Sequence, residues 1–466
     1  MISESIMERL GKEIGSQNIT TNPNDLFTLS RDVTPICYKW IDLYGQPPAS
    51  AEVALFPQNM EHLKSILRIA NQEKIPVNVY GGGSGTVGGI IPVEGGITID
   101  MSHFDRIQGI DHQSLVVKTE AGVIAQNLED YLNLRGYTFR HYPQSFRSAS
   151  IGGLIATKSV GQFSTKYGGI EDFLVGIEAV LPNQEVIELT DTPRSSTGPD
   201  IKNMFIGSEG ILGIITRANL KIYRLPEKMN FQCYLYQDIY AGLDSIRDIL
   251  QSGLAPPVVR LYNRQESKLK FENIGFSYQG CLLVLCYEGK SELVEAQSRV
   301  SEQICSKNGG KNIGDTLGKM WYENRFDTRH IMEKDEEFGG ISDAIEISAS
   351  WSRIKGIYYE IERYFNQRNI VVASHFSHAY THGISSYSIF YVNREDEQQA
   401  IDEFYKIWND IMELTLKMGG SISHHHGIGM IKNKMLKKEL GPGYGLLRDI
   451  KNAVDKNNIL TRGKLI

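Results

Sequence analysis

The chain has 466 residues, enough for two or three domains, and its 41% hydrophobic and 22% charged residues are typical of a globular protein. Its net charge of −6 argues against nucleic acid as a partner, and no run of about 18 consecutive apolar residues predicts a transmembrane segment. The five cysteines are odd in number and scattered, which indicates reduced thiols and a cytoplasmic protein. These features favour a small-molecule substrate as the partner.

The N-terminal segment MISESIMERLGKEIG predicts a short amphipathic helix, and it lacks the apolar core of a signal peptide. We expect residues 1–47 to form a helical arm ahead of the first domain. No pattern in the chain sets the oligomeric state, so a homodimer is left open.

A glycine-rich loop follows the strand-like segment IPVNVY, within residues 75–91. Gly83, Gly85 and Gly88 match the dinucleotide fingerprint G-x-G-x-x-G, but that fingerprint requires a helix that begins at the glycines. The segment GIIPVEGGITIDMS instead predicts a loop and then a strand. Successive backbone N–H groups in such a loop can still bind phosphate. The alternative is a plain glycine-rich hairpin.

Residues 147–227 combine short strands with isolated helices. SIGGLIATKS predicts a helix, LVGIEAVL and EVIEL predict two strands across a Pro-Asn turn, and GIITRANLKIY predicts a long strand. Regular strand–helix–strand alternation is missing, so the pattern favours an α+β fold.

The following segment alternates strands with amphipathic helices. FQCYLYQ, CLLVLCYEG and SSYSIFYV predict strands, whereas LVEAQSRVSEQIC and AIDEFYKIWNDIMELTLK have helical periodicity. This alternation predicts an antiparallel sheet with helices on one face.

Near the C-terminus, the Gly/Ser-rich stretch GGSISHHHGIGMIK places His424, His425 and His426 side by side. Imidazole titrates near neutral pH, which suits proton transfer. Six of the eleven histidines lie in residues 375–426, which favours one shared site over a solvated loop with accidental histidines.

A metal site is the alternative for these histidines. His375, His378 and His382 are spaced i, i+3 and i+7, and with the triplet they could surround zinc or iron. The strand-like SYSIFY that follows does not support this spacing as a helical face. We therefore assign no metal and expect His375 and His378 to line the pocket.

Three segments together resemble the FAD-binding domain of the vanillyl-alcohol-oxidase-type, or PCMH-type, flavoenzymes. They are PVNVYGGGSGTVGG, SASIGGLIATKSVGQFSTKYGGIEDFLVGIEAVLPNQEVIEL and FIGSEGILGIIT. DAIEISASWSRI, SHFSHAYTHGISSYSIFY and the histidine stretch are similar to alkyldihydroxyacetone-phosphate synthase (alkylglycerone-phosphate synthase). D-lactate and glycolate dehydrogenases usually carry a G-D-G-N-type histidine motif and E-H-G-x-G, which this chain lacks.

The resemblance implies an α+β fold in three parts after the arm. Residues 48–228 would form a two-subdomain PCMH-type FAD-binding domain, and residues 229–415 an α/β cap domain with an antiparallel sheet. Residues 416–466 would return to the flavin and deliver the triple histidine. The active site would lie where the cap meets the FAD-binding domain.

The resemblance also implies which residues contact FAD. Those around the pyrophosphate would be Gly81, Gly82, Gly83, Ser84, Gly85 and Thr86. Those along the ribityl chain and the isoalloxazine would be Ser145, Ser150, Gly153, Thr157 and Ser159. Those at the adenosine end, which close the pocket, would be Glu171, Val175 and the turn Glu209–Ile215. Some relatives link FAD covalently through a histidine in the glycine loop, but no histidine lies between Lys74 and Met101. We therefore expect non-covalent FAD.

Five residues carry over as catalytic by resemblance. They are Tyr387 in SSYSIFY, Arg260 in PPVVRLYN, and His424, His425 and His426. Tyr380 is the nearest competitor for the tyrosine.

One departure concerns a second family arginine, whose place aligns here with Met332-Glu333. Arg325 or Arg329 could take that role after a shift, and nothing in the sequence decides between them.

The expected function is an FAD-dependent enzyme that acts on a small anionic hydroxy or keto substrate at flavin N5. The resemblance favours a redox-neutral, synthase-like transferase. The alternative is an FAD-dependent D-2-hydroxy-acid dehydrogenase, because both reactions use the same residue types. A non-enzymatic flavin-binding protein is the third hypothesis.

Overall fold

The first sheet forms around the glycine-rich loop. The computed structural model describes residues 2–271, 279–327, 340–394 and 396–466. The first elements are α1 (Glu4–Ile14), β1 (Ile19–Thr20), α2 (Pro23–Leu29), α3 (Pro35–Tyr44), β2 (Val53–Leu55), α4 (Met60–Glu73), β3 (Val77–Tyr80) and β4 (Ile97–Asp100). The strand order is β1-β2-β4-β3, with β2, β4 and β3 parallel. The N-terminal helix α1 packs on α4, and β1 pairs with β2, so the predicted arm joins this layer.

A second, antiparallel sheet follows. Its region contains β5 (Ile107–Asp111), β6 (Val116–Glu120), α5 (Ala125–Asn133), β7 (Tyr137–Thr138), α6 (Ile151–Ala156), α7 (Ser164–Tyr167), α8 (Ile170–Phe173), β8 (Leu174–Val180), β9 (Val186–Leu189), α9 (Ile201–Phe205), β10 (Ile214–Lys221) and β11 (Tyr223–Arg224). The sheet order is β5-β6-β10-β8-β9, and β7 pairs with β11. Ser148 and Ser150, just before α6 of this region, lie beside Gly81 and Gly82 of the glycine loop.

The third sheet is the largest in the described part of the chain. Its region contains β12 (Lys228–Tyr236), α10 (Ile239–Gln251), β13 (Val258–Tyr262), α11 (Arg264–Phe271), β14 (Cys281–Gly289), α12 (Ser291–Lys307), β15 (Lys311–Asn312), α13 (Thr316–Asn324), β16 (Ile341–Ser350), α14 (Trp351–Asn366), β17 (Val372–Tyr380), β18 (Gly383–Val392) and α15 (Glu397–Lys417). The order β15-β12-β14-β13-β17-β18-β16 is antiparallel throughout, which confirms the α+β prediction.

The two faces of the third sheet have different neighbours. Val259 and Leu261 of β13 join the core formed with helices α10, α14 and α15, whereas Val258 and Tyr262 join the core of the second sheet. Because side chains alternate along a strand, Arg260 faces the second-sheet side. Strand β14 is central and buried on both faces, which explains its continuous apolar run.

The last residues return to the first sheet. After α16 (Asn433–Leu440) and α17 (Gly443–Val454), the chain runs beside β3. Val77 donates its N–H to the Ile459 carbonyl at 2.7 Å, and Thr461 donates to the Val77 carbonyl at 2.8 Å. Lys464 Nζ donates to Asn78 Oδ1 at 3.0 Å. These bonds fix the C-terminal segment beside the glycine loop.

We predict that Leu285→Ala lowers the free energy of unfolding by about 2–5 kcal/mol, because it opens a cavity in a fully buried strand. Leu446→Ala is the matched control, since Leu446 is 65% exposed. Chemical denaturation of both variants measures the effect. Equal losses for the two variants would contradict the double-sided burial of β14.

Candidate active site

One row of side chains crosses four neighbouring strands of the third sheet. Tyr262 pairs with His375, His375 with Tyr387, and Tyr387 with Glu346. All four lie on the face opposite the helices, since alternate positions of the same strands, Leu261, Ile345, Phe376 and Ile384, join the helix-side core. The row forms one wall of the candidate site.

The triple-histidine segment lies across this wall and is anchored by Glu346. This fully buried carboxylate accepts hydrogen bonds from Lys432 Nζ at 2.8 Å, Ser423 Oγ at 2.9 Å, the His426 N–H at 3.0 Å and the His424 N–H. Burial alone would raise the pKa of Glu346, but Lys432 and the neighbouring imidazoles hold that pKa well below its usual range. The ionised Glu346 carboxylate therefore fixes the backbone of the triple-histidine segment against the third sheet.

The three imidazoles contact one another and are uncharged. His424 Nδ1 lies 3.0 Å from His425 Nδ1, and the rings of His425 and His426 have centroids 4.4 Å apart. Burial lowers the pKa of His424 and of His425 to about 3, and that of His426 to about 4. All three are therefore neutral at pH 7 and can accept a proton.

Two tyrosines reach the triplet in different ways. The Tyr387 ring stacks on His375 at 4.8 Å and lies 5.6 Å from His426. Tyr380 instead forms a hydrogen bond, with its hydroxyl 2.8 Å from His424 Nε2. Burial raises the pKa of both hydroxyls, so both are neutral. Our prediction for Tyr387 placed it beside the histidines, while the direct bond belongs to Tyr380.

Arg260 is connected to the site by a hydrogen bond to His375. Its Nη1 donates to His375 Nε2 at 3.1 Å, and His375 Nδ1 lies 2.9 Å from the Glu266 carboxylate. Because arginine only donates, His375 must accept on Nε2 and donate from Nδ1. Arg260 Nε is buried without a hydrogen-bond partner among the described residues, which leaves a donor for a ligand.

His378 occupies a β-bulge in β17. Its φ of 54° is left-handed, and the register with β18 shifts between Ser377 and Ala379. The ring packs on His424 at 5.2 Å and on His425 at 4.9 Å, while Nδ1 lies 2.7 Å from Ser164 Oγ of α7. His378 therefore contacts the triplet and α7, and its place in a substrate pocket stays a prediction.

The described residues contain no group of three or more histidine, cysteine or acidic side chains arranged to hold a metal ion. His375 is already bonded to Arg260 and Glu266, and His382 is exposed in the β17–β18 turn. Met332, Glu333 and Arg329 lie outside the described residues. Arg325, which is described, packs over Tyr322 at 3.9 Å and Phe326 at 4.6 Å.

Two glycines at the start of the glycine loop leave no space for a side chain. A Cβ on Gly82 would come within 1.7 Å of the Ser148 carbonyl oxygen, and one on Gly81 within 2.2 Å of Ser150 Oγ. Gly83 has a φ of +63°. Glycines packed closely against a second glycine-containing segment fit a bound pyrophosphate, whose oxygens need close backbone N–H groups.

A buried aspartate that the sequence interpretation missed supports this loop. Asp32 is 2% exposed, and its Oδ2 accepts the Gly88 N–H at 2.9 Å. Val33 donates its N–H to the Gly85 carbonyl at 2.9 Å. The N-terminal region thus shapes the loop that includes Ser84 and Thr86.

The residues expected along the ribityl chain surround α6. Ser150 caps this helix by accepting the Gly153 N–H at 3.3 Å, and Thr157 Oγ1 donates to the Gly153 carbonyl at 2.9 Å. Ser159 is buried just after the helix, and the Ser145 carbonyl accepts the Ala149 N–H at 2.8 Å. Of this set, Ser150 and Gly153 lie beside Gly81 of the glycine loop.

The residues expected at the adenosine end are more dispersed. Val175 is half-buried on β8, and Ile215 lies in the core of the second sheet. Glu171 Oε2 is buried without a hydrogen-bond partner among the described residues, and burial raises the pKa of Glu171. Glu209 accepts the N–H groups of Ile428 at 2.6 Å and Gly429 at 3.0 Å. Glu209 therefore contacts the segment that follows the histidines.

Comparison with known families agrees with this arrangement. Residues 51–190 match the FAD binding domain model, and residues 225–465 match the model of the C-terminal domain of FAD linked oxidases. The chain belongs to the FAD-linked oxidase family. FAD is therefore its cofactor. No helix in the described residues is long and apolar enough to cross a membrane.

Relatives within the family differ in their named activities. The uncharacterized FAD-linked oxidoreductase YgcU of Escherichia coli K12 is 31% identical, over 99% of this chain and 98% of the relative. The alkyldihydroxyacetonephosphate synthase of Dictyostelium discoideum is 27% identical, over 91% of this chain and 74% of its own length. The glycolate oxidase subunit GlcD of Bacillus subtilis is 26% identical, over 100% of this chain and 97% of the relative.

Solved structures confirm the fold. An alkyldihydroxyacetonephosphate synthase superposes with a TM-score of 0.83 at 23% identity, covering 98% of this chain and 84% of that one. A substrate-bound p-cresol methylhydroxylase gives a TM-score of 0.78 at 17% identity, covering 99% of this chain and 96% of that one. The predicted PCMH-type fold is therefore confirmed.

We predict that Gly82→Ala lowers the FAD content of the purified protein, because the added Cβ would overlap the Ser148 carbonyl. Gly445→Ala is the control, since a Cβ there meets nothing within 4 Å. The ratio of flavin to protein absorbance measures occupancy. Full occupancy in Gly82→Ala would contradict the tight packing of this loop.

We predict that Glu346→Gln lowers the free energy of unfolding by about 3–5 kcal/mol at pH 7, because it leaves Lys432 buried without its counter-charge. The folded-state pKa of Glu346 is depressed, so its contribution is complete above the ordinary value of 4.5 and declines as pH falls below it. The difference between wild type and variant should therefore narrow below pH 4.5. Denaturation curves at a series of pH values measure it, and a pH-independent difference would argue against an ionised Glu346.

Proposed function

We propose that this protein is an FAD-dependent enzyme that acts on a small anionic hydroxy or keto substrate at flavin N5. One observation carries the proposal. Arg260 and Tyr387 lie on one face of the third sheet, and the three neutral imidazoles lie across that face. This set supplies an anion contact, a neutral hydroxyl donor and a base, which are the functions that such a substrate requires.

The anion contact would come from Arg260. Its Nη1 is held by His375, which fixes the guanidinium, while the buried Nε keeps a free donor among the described residues. The Trp321 ring lies 5.5 Å from the guanidinium carbon and covers one face. A guanidinium fixed in this way favours a planar carboxylate or a phosphate, since both accept two parallel hydrogen bonds.

The base would be a histidine of the triplet. A base must be unprotonated at working pH and within hydrogen-bond reach of the substrate proton. Burial keeps all three imidazoles neutral at pH 7, which meets the first condition. The Tyr387 hydroxyl, whose pKa is raised by burial, would donate a hydrogen bond to a developing negative oxygen.

Bound FAD supplies an electrophilic N5 that can take up two electrons as hydride or, when reduced, act as a nucleophile. Either use is compatible with the same protein groups. The synthase-like, redox-neutral transferase is our first candidate, supported by the triple histidine and by the 27% identity to the Dictyostelium synthase.

A D-2-hydroxy-acid dehydrogenase is the second candidate, and the charge around Arg260 favours it. Glu266 is buried beside Arg260 and Lys270, and burial lowers the pKa of Lys270 to about 8. Arg260 and Lys270 are positive and Glu266 is negative, so one positive charge stays uncompensated among these described residues. That matches a carboxylate, with one negative charge, better than a phosphate monoester with about −1.5 to −2.

A cytoplasmic location and a homodimer stay predictions.

We expect 2-hydroxy acids to bleach the oxidised flavin band under anaerobic conditions if the protein is a dehydrogenase. Acyl-dihydroxyacetone phosphate plus a fatty alcohol should give an ether product without net bleaching if it is a synthase. Absorbance spectra and product analysis by mass spectrometry distinguish the two. If neither substrate set reacts with the flavin-loaded protein, the proposed substrate class is wrong.

For the active class, Arg260→Met should raise KM by about 10–100-fold, because a charged hydrogen bond contributes about 1.5–3 kcal/mol. Arg368→Met is the matched control, since Arg368 packs on Tyr364 on a cap helix away from the wall. Steady-state kinetics of both variants measure the effect. Equal KM values for Arg260→Met and wild type would contradict the anion contact.

A further inference from the structure

A chain of hydrogen bonds leaves the triplet in the direction away from Tyr387. The Tyr380 hydroxyl lies 2.8 Å from His424 Nε2, and His424 Nδ1 lies 3.0 Å from His425 Nδ1. His425 Nε2 is the remaining ring nitrogen at the inner end of this chain. The chain therefore joins a tyrosine hydroxyl, two imidazoles and one nitrogen that is left for a substrate.

The two facing Nδ1 atoms make the tautomers of His424 and His425 interdependent. A neutral imidazole carries one proton, so across this contact one Nδ1 must donate and the other must accept. Burial keeps both rings neutral at pH 7, so a doubly protonated ring does not remove this constraint. Fixing the tautomer of one ring thus fixes that of the other.

The direction of the Tyr380 bond then determines the state of His425. If Tyr380 donates to His424 Nε2, His424 donates from Nδ1, and His425 carries its proton on Nε2, as an acid. If Tyr380 accepts from His424 Nε2, His425 donates from Nδ1, and its Nε2 is bare, as a base. The two states interconvert when one proton enters the chain at one end and another leaves at the other end, while a proton passes between the two Nδ1 atoms.

Tyr380 is at this position because of the bulge at His378. Phe376 and Ala379 both point to the helix-side core, three residues apart instead of two. The extra residue reverses the alternation of side chains, so Tyr380 faces the histidines and not the helices. The Ala379 N–H donates to Thr165 Oγ1 at 3.1 Å, which fixes the bulge on α7.

The outer end of the chain lies close to solvent. Tyr380 is half-buried, Thr381 and His382 of the adjoining turn are exposed, and the rings of Tyr380 and His382 are 5.9 Å apart. Tyr380 therefore adjoins an exposed turn, through which the proposed proton path would reach water.

Charged groups surround the chain on several elements. Glu171 and Asp172 of α8 act on Tyr380, and Lys158 acts on His424. The remaining groups that face the two imidazoles are Glu346, Lys432, Arg260, His378 and His426.

We propose that Tyr380 is a relay residue that sets the tautomer of the triple histidine through His424 and passes the substrate proton from His425 to solvent. This inference rests on the proposed function, since it assigns a route to the proton that the base removes. Tyr380 acts through His424 and makes no contact with the substrate itself.

The relay moves one proton and no electrons. The substrate proton bonds to His425 Nε2 while the His425 Nδ1 proton moves to His424 Nδ1. The His424 Nε2 proton moves to the Tyr380 oxygen, and the Tyr380 hydroxyl proton leaves to water. Each imidazole ends with one N–H proton and Tyr380 with its hydroxyl proton. His424, His425 and Tyr380 therefore all stay neutral, and no charge is left in the buried segment.

The test that does not depend on turnover is nitrogen NMR of the flavin-loaded protein with ¹⁵N-labelled histidine, comparing wild type with Tyr380→Phe. We expect the tautomer ratios of both His424 and His425 to change, because removing the hydroxyl releases one end of the chain. The matched control is Tyr364→Phe, which also loses one hydroxyl bond, to Asp410 at 2.8 Å, on a cap helix. A change at His424 alone, or at neither histidine, would overturn the proposal.

A kinetic test uses the substrate that reacts in the flavin assay. Tyr380→Phe should lower kcat by about tenfold or more with little change in KM, since general acid–base steps contribute about 10²–10⁴-fold. The pH–rate profile of Tyr380→Phe should differ from that of the wild type. If several protons move in the wild type, its rate should depend non-linearly on the D₂O fraction of the solvent, and this dependence should become linear in the variant. A merely structural role would lower stability without changing the inventory.

Wild-type kcat and an unchanged inventory in Tyr380→Phe would overturn the relay. Failure of every substrate to react would contradict the proposed function, whereas the NMR result would still decide the tautomer linkage. The two failures are therefore distinguishable.

Discussion

The buried ion pair between Glu346 and Lys432 is the interaction on which the site depends. Both side chains are inaccessible to solvent, and the carboxylate also binds two backbone N–H groups of the histidine segment. A charge without a partner at this depth would be strongly destabilising, so each residue requires the other. Because the same carboxylate fixes the backbone of His424 and His426, the folding energy of the pair and the position of the imidazoles are linked. The low pKa values of the histidines follow from the same burial.

Much of the site could be predicted from sequence because its residues occur in local motifs. The glycine loop, Arg260, Tyr387 and the triple histidine each lie in a short pattern, and the structure places the last three on one wall. Strand β14 was evident from its apolar run. Such features depend on neighbours in the chain, which a sequence displays directly.

The missed features depend on contacts between distant positions. Glu346 meets Lys432 across 86 residues, Asp32 meets Gly88 across 56, and Ser164 meets His378 across 214. The carboxylate of Glu346, between Ile345 and Ile347 in the strand segment DAIEISAS, was the available signal, because an unpaired charge is rare at a buried strand position. The bulge at His378 had no such signal. Simple alternation along SHFSHAY would place Tyr380 on the helix side, and the motif resemblance selected Tyr387, with Tyr380 as its nearest competitor.

The histidine segment is held by carboxylates from both halves of the molecule. Glu346 of the third sheet binds its first part, and Glu209, next to the second sheet, binds Ile428 and Gly429 just beyond it. Met430 adds a bond to the Val87 carbonyl beside the glycine loop. If the two halves moved apart, the segment could follow only one of them and would lose its bonds to the other. The geometry of the candidate site is therefore a property of the closed interface, and separating the two halves would displace the three imidazoles as well as admit water.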